Sequence, residues 1–409
     1  MSLSHWPGTL RSAERRDEVA YFDHAATSPL RPEVAEAMAP FAGERFGNPS
    51  GVHRRAREAR RALEDAREQV GELLGCHPAE VVFTSGGTES DNLAVLGSLA
   101  ARTGTDGPMA IVCSAVEHAA VLRTCEAAAS AVARWMGIGA VELRIAPVKA
   151  NGAVDLGALE QLLGPEVGLV SIMLANNEVG TIQPLGEIAA LVRRLAPSAA
   201  LHTDAVQAAT FLDLAAAASD ADLVSISAHK LGGPQGVGVL VVREGTPLRP
   251  IHHGGGQERE RRAGTHNVAG AVGIASALAV AARVRSQEVP RVRALRDRLA
   301  DGLLAAVPKC VASVPRDEAL PGHCHLRFEG VEQEELLVLL DEAGICAAGG
   351  AACASGAIEP SHVLLAMGVS PDDARSSVRF SLGYTTTDQD VDRALEVVPA
   401  AVARLRDEG

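Results

Sequence analysis

Aromatic side chains are scarce in this sequence. Seven Phe, two Trp and two Tyr serve 409 residues, so packing has to rest on Ala, Val, Leu, Ile and Gly. Paired cysteines are missing too. Cys76, Cys113, Cys125, Cys310, Cys324, Cys346 and Cys353 form no C-x-x-C pair and are odd in number, which argues against a secreted disulfide framework and for a reducing cytosol. Positive charge is in deficit. With 38 Lys and Arg against 51 Asp and Glu, the formal charge is −13. That balance argues against nucleic-acid or anionic-membrane binding as the main activity, because counterion release needs clustered cations. The longest mostly apolar stretch, Val268 to Ala282, has 15 residues. It falls short of the roughly 20 that cross a bilayer and reads as a buried helix. Residues 1–20 hold no apolar run of signal-peptide length and read as a loose extension.

What is present alternates. Residues 54–74 carry the period of an amphipathic helix, Val81 to Thr84 form a short strand, and Glu89 to Ala101 a second helix. Strand-like runs recur at Ala110–Ser114, Val141–Ala146, Gly168–Ala175, Ala199–Asp204, Leu223–Ser227 and Gly236–Val242. Such alternation predicts an α/β fold with a mainly parallel sheet covered by helices on both faces. Beyond residue 283 the texture changes to two charged helices, Val292–Val307 and Glu332–Ala343, with a strand between them, which predicts a smaller α+β unit.

In open α/β sheets, ligands sit beyond the carboxyl ends of the strands. Three such ends carry polar groups. After Val81–Thr84 comes Ser85-Gly86-Gly87-Thr88-Glu89-Ser90, whose glycines and helix N-terminus suit an anion such as phosphate, although Thr88 capping the helix gives the same letters. Asp204 closes an apolar strand and needs a cationic partner, such as a protonated ring nitrogen, or a capping role. Lys230 follows the strand Leu223–Ser227, where an amine of lowered pKa can form a Schiff base, with Ser227 and His229 beside it for a phosphate. Taken singly, each has an ordinary structural explanation. Together, amine, acid and phosphate cradle are the three needs of pyridoxal 5'-phosphate.

Eleven segments then occur in order. Among them are Y-F-D-H-A-A-T-S-P-L at 21–30, T-S-G-G-T-E-S-D-N at 84–92, N-N-E-V-G at 176–180, H-T-D-A-V-Q at 202–207, S-A-H-K at 227–230, G-G-G-Q-E-R at 254–259, A-A-C-A-S-G at 351–356 and R-F-S-L-G at 379–383. From Tyr21 onward the chain resembles the NifS/IscS-type cysteine desulfurases, pyridoxal-phosphate enzymes of the class V aminotransferase group. The resemblance implies a fold-type-I transferase with a mainly parallel seven-stranded sheet in a large cofactor-binding domain, residues 31–282. It also implies a small α+β domain, residues 21–30 with 283–409, carrying a mobile cysteine loop at about 349–360.

Roles are implied residue by residue. Lys230 would hold the cofactor and move the Cα proton, and Asp204 would pair with the pyridine nitrogen. Asn177 and Gln207 would lie near the ring hydroxyl, and His118 would stack on the ring and act in proton transfer. Gly87, Thr88, Ser227 and His229 would bind the phosphate, with Thr265 reaching that of the neighbouring subunit in a homodimer. Arg379 would fork onto the substrate carboxylate. Cys353, in a glycine-rich segment, would be the nucleophile. Many relatives carry serines just before it, where this chain has Gly349 and Ala351.

The resemblance thus implies a cytoplasmic enzyme that converts L-cysteine to L-alanine and leaves a persulfide on Cys353. The sulfur then passes to an acceptor protein for iron–sulfur assembly, with a transient cluster at the acceptor, or for thiolation of tRNA, cofactors, DNA or metabolites; no direct membrane binding is implied. Selenocysteine lyase or other class V chemistry is the nearest alternative, and a non-catalytic sulfur-relay scaffold the alternative of another class. His252-His253 and His323-Cys324-His325 lack the further clustered ligands of a metal site, so no metal is expected.

Overall fold

The structure is a computed structural model describing residues 19–102, 109–132, 140–349 and 360–408. Cys353 and positions 350–359 around it lie outside the described residues. The strands are β1 (Ala20–Tyr21), β2 (Val81–Thr84), β3 (Met109–Ser114), β4 (Val141–Ala146), β5 (Val167–Ser171), β6 (Ala200–Asp204), β7 (Leu223–Ser227), β8 (Gly238–Val242), β9 (Cys310–Ala312), β10 (His323–Phe328), β11 (Ile345–Cys346) and β12 (Ser377–Ser381).

The seven apolar runs from Val81 to Val242 become one sheet in the order β2-β8-β7-β6-β5-β3-β4. All its pairings are parallel except those of β8, which runs against both neighbours. Only ten residues join β7 to β8, too few for the crossover a parallel strand requires. Six of the seven strands are buried at every residue, as helices on both faces demand, while edge strand β4 is partly exposed.

The helix Arg54–Leu73 buries Ala56, Ala59, Leu63, Ala66 and Val70 along one stripe and lies on the helix Val268–Ala306. The sequence suggests two helices in that second region, 268–282 and 292–307. They form one helix of 39 residues with Pro290 inside it. Its first half packs Ala271, Ile274 and Leu278 into the large-sheet core. Its second half packs Val292, Leu295, Leu299 and Leu303 against β10, β12 and the helix Asp388–Glu408. The change of texture at residue 283 is therefore a change of partner along a continuous rod. This helix is long and apolar enough to cross a membrane, yet 56% of its most apolar window is buried inside the protein.

Antiparallel β9, β10 and β12, with β1 paired to β11, line the second core, where Phe22 meets Phe380 edge to face at 6.0 Å. We propose that the two cores are two domains, residues 31–282 and residues 21–30 with 283–409, joined through the long helix. Cys113, Cys125, Cys310 and Cys324 are buried among apolar neighbours, whereas Cys346 is half-buried at the end of β11.

One buried interaction has no local signal in the sequence. Arg67 looks like another member of a solvated arginine face, but it is buried and forks onto Glu258, with both N···O distances at 2.8 Å. Glu258 also accepts from the Phe83 N–H at 2.9 Å and lies 3.0 Å from His266 Nε2. Burial alone would raise the Glu258 pKa, but the hydrogen bonds from Arg67 and His266 overcome it and hold the carboxyl at about 2. The clasp restrains Glu258, Arg259 and Glu260, three successive non-glycine residues with left-handed φ of 48°, 55° and 65°. Arg67→Ala is expected to destabilise the fold by about 3–5 kcal/mol, since it strands a buried carboxylate. Thermal unfolding measures this, and a change within about 0.5 kcal/mol would show that the pair holds nothing.

Candidate active site

The three polar strand ends share one edge of the sheet, because β2, β6 and β7 point the same way. Past β2, Gly86 has φ 153° and is the residue before the helix Gly87–Ala100, and no side chain caps that helix. Capping by Thr88 therefore does not occur; Thr88 sits in the first turn and the N-terminal N–H groups stay available. A Cβ on Gly87 would lie 2.8 Å from Val206 Cγ2 and 3.5 Å from Ser227 Cβ, so the turn closes against β6 and β7 only with glycine there. Glu89 accepts from the Ser85 N–H at 2.7 Å and is clasped by Arg262 at 2.7 Å. Arg262 thereby ties the loop of exposed Thr265 to this turn.

Asp204, at the end of β6, is 5% exposed, and its Oδ1 accepts from the Val206 N–H at 2.9 Å. Burial raises its pKa; the Val206 N–H, His118 and Lys230 work against that rise, so a cation at this carboxyl is favoured. His118 precedes the helix Ala119–Ala127 and caps it, Nδ1 accepting from the Ala120 N–H at 3.1 Å. In the neutral ring the proton therefore belongs to Nε2. Burial, with Lys230 and His362, lowers the His118 pKa against the pull of Asp204.

Lys230 lies on the short helical turn Ala228–Leu231, and its Nζ donates to the carbonyls of Ala25 at 2.6 Å and Ala26 at 2.7 Å. Burial first, then Arg379, brings its pKa down to about 8, with Asp204 and Asp23 opposing. Burial and Lys230 likewise lower His229 to about 4; its Nδ1 lies 3.1 Å from Thr27 Oγ1. Gln207 joins the same segment, its Nε2 donating to the Ala25 carbonyl at 2.9 Å. Arg379, on β12, donates to the carbonyl of half-buried Asn177 at 2.8 Å and to Asp23 Oδ1 at 2.8 Å, leaving a buried Nε–H without a partner among the described residues.

The described ends of the Cys353 segment are both fixed beside these groups. Ala348 exchanges backbone hydrogen bonds with Arg379 at 3.2 and 2.7 Å. At the other end, Ser361 donates to buried Glu178 at 2.5 Å, and His362 Nε2 meets the Glu117 carbonyl oxygen at 3.0 Å, next to His118. The structure thus brings His118, Asn177, Asp204, Gln207, Ser227, His229, Lys230 and Arg379 together with Gly87 and Thr88, leaves Thr265 on the rim, and does not describe Cys353. Asp23, Glu117 and Glu178 are functional candidates that sequence reasoning misses. Asp23 and Glu178 lie inside quoted motifs and Glu117 directly precedes His118, which is the only signal. Among the described residues no group of three His, Cys, Asp or Glu gathers as a metal site; His252 Nδ1 faces Glu89 at 3.4 Å.

Comparison with known proteins agrees with this geometry. The family model for aminotransferase class V matches residues 20–394. An IscS-like cysteine desulfurase of Mycobacterium tuberculosis is 44% identical over 396 residues, covering 95% of this chain and 97% of that protein. The cysteine desulfurase NifS of Azotobacter vinelandii is 42% identical, covering 94% and 93%. A solved NifS-like protein superposes with a TM-score of 0.85 at 35% identity, covering 95% of this chain and all of that one. The structure of SspA in complex with cysteine gives 0.73 at 32% identity, covering 88% and 98%. The chain belongs to the class V aminotransferase family and, within it, to the cysteine desulfurases of the NifS/IscS type. That family implies a pyridoxal-phosphate-dependent enzyme.

In the cofactor-free protein, Lys230 is expected to react with an amine-selective acylating reagent with a pH midpoint near 8, against 10.5 for an ordinary lysine. Asp204→Asn should move the midpoint lower, because Asp204 favours the charged amine. Peptide mapping of the modified protein measures both, and a midpoint near 10.5 contradicts the burial argument.

Proposed function

We propose that this protein converts L-cysteine to L-alanine and carries the sulfur away as a persulfide on Cys353. The observation that carries the reading is Lys230, a half-buried amine whose turn sits between an uncapped glycine turn and a buried carboxyl. These residues fit pyridoxal phosphate. Gly87, Thr88, Ser227 and His229 would receive the phosphate, with Thr265 of one protomer serving its partner's site in a homodimer. Lys230 would bond the aldehyde carbon, Asp204 would face the ring nitrogen, Asn177 and Gln207 the ring hydroxyl, and His118 the ring face. When bound, the group supplies an electron sink for the charge left at the substrate Cα.

Arg379 offers the substrate carboxylate its buried Nε–H and keeps its other contacts to Asp23 and Asn177. Lys230, its pKa brought down to about 8, keeps a neutral fraction at physiological pH and would take the Cα proton. His118 stays neutral and presents Nε2–H toward the site. The Cys353 thiolate would attack the substrate sulfur: an S–S bond forms, the Cβ–S bond breaks, its electron pair takes up a proton at Cβ, and a proton returned to Cα completes alanine. The cysteine complex of SspA supports L-cysteine as the substrate. The persulfide would pass in the cytoplasm to an acceptor protein, for iron–sulfur assembly or thiolation.

Cys353→Ala should retain the visible cofactor absorbance and lose alanine formation from cysteine by more than about a hundredfold. Lys230→Ala should lose the lysine-bound absorbance itself. Undiminished turnover by the cysteine variant on L-cysteine sinks the persulfide route, and undiminished turnover only on selenocysteine identifies a lyase instead.

A further inference from the structure

His323 opens β10 and is 4% exposed, yet among the described residues neither ring nitrogen has a hydrogen-bond partner. Backbone packing holds it: a Cβ on Gly180 would lie 2.6 Å from His323 Cβ. A buried imidazole with both nitrogens unpaired is costly, of the order of 1–3 kcal/mol per polar group, and calls for a ligand. The ring borders a cavity of about 20 Å³ that is also lined by His24, Arg31, Gln207, Lys230 and Tyr384.

A second group facing this cavity is independently unsatisfied. Arg31 gives its two terminal nitrogens to Glu288 at 3.0 and 2.7 Å and stacks on Tyr384 at 4.1 Å, but its buried Nε–H has no acceptor. His24 is by contrast satisfied on both sides, by Ser28 at 3.1 Å and Thr385 at 3.0 Å. A lysine ammonium has three donors, and Lys230 spends two on Ala25 and Ala26. The volume suits one water, which needs two to four polar partners, and the walls offer an N–H from Arg31, a ring nitrogen of His323 and the amine of Lys230.

We propose that this cavity is a binding site for one ordered water, and that through it His323 acts as a positioning residue for the Lys230 amine. The site lies at the junction of β10, β12 and residues 24–31. The water would give the amine a polar contact that moves with it when it leaves the Ala25 and Ala26 carbonyls. The charged and titratable groups around His323 are Arg379, Arg296, His325, Lys230, Arg31 and His24; those around Lys230 add Asp204, Asp23, His118 and His229. Burial first, and then Arg379 and Arg296, hold the His323 ring neutral, so it can accept from the water as well as donate.

The inference rests on Lys230 being the cofactor-bearing amine, which the Lys230→Ala absorbance tests separately. A high-resolution crystal structure of the pyridoxal-phosphate-loaded protein should show an ordered water within hydrogen-bond distance of a His323 ring nitrogen and of Arg31 Nε. A dry cavity, or both groups bonded only to protein atoms, overturns the proposal whatever any variant does. In the loaded protein, His323→Leu should bind cofactor in full yet lower the pH midpoint of its visible absorbance by about 0.5 unit or more, because the lysine nitrogen loses a polar neighbour. His323→Asn should restore the midpoint. An unmoved midpoint in a folded, fully loaded His323→Leu protein overturns the link to Lys230.

Discussion

Residues 23–28 cross from the second core to the sheet edge, and the distances between the reacting groups depend on that crossing. Asp23 holds Arg379, the Ala25 and Ala26 carbonyls hold Lys230, Thr27 meets His229, and Ser28 donates to the Lys230 carbonyl at 3.0 Å. Ala25 N–H is in turn pinned by Ser381 at 2.9 Å, two residues beyond Arg379. One short segment thus links the amine on the turn after β7 to the guanidinium on β12. Neither would be rigid alone, because Lys230 sits on a single helical turn and Arg379 on a three-stranded sheet.

Electrostatics follows from this enclosure. Burial pushes the Asp204, Asp91 and Glu117 carboxyls up and Lys230, His118 and His229 down, so each group is poised to change its proton when a charged partner enters. Asp91 and Asp204 repel one another in the interior, which favours charge on the carboxyl that gains a cation. Glu89 and Glu258 are instead held low, and both do so by gripping arginines that place the 258–265 loop. Opposite treatment of carboxyls at the centre and the rim separates chemistry from scaffolding.

Much of this is legible in the order of the amino acids. Strand runs, buried on both faces, read as continuous apolar letters, and the polar residue ending each run marks the site: Thr84, Asp204 and Ser227. Arg67 escapes such reading because helical period places it among exposed arginines, and only the arrival of Glu258, 191 positions away, makes it buried. The helix Val268–Ala306 reads as two because the charged stretch 283–291, with Pro290 in it, interrupts the apolar run, a signal that mimics a boundary. His323 reads as a failed metal ligand, since nothing local says that Arg31 and Lys230 share its cavity.

The letters by themselves determined the fold class and the seven strands and pointed to the lysine, the acid and the glycine turn proposed for the site, because periodicity and backbone freedom are local properties. Tertiary structure decided what those groups feel. The direction of β8, the partners of Arg67 and Arg379, the tautomer of His118 and the depressed pKa of Lys230 all come from contacts between residues far apart in the chain. Charge and hydrogen bonding act through space, so a motif can name a reacting group but only packing sets its proton.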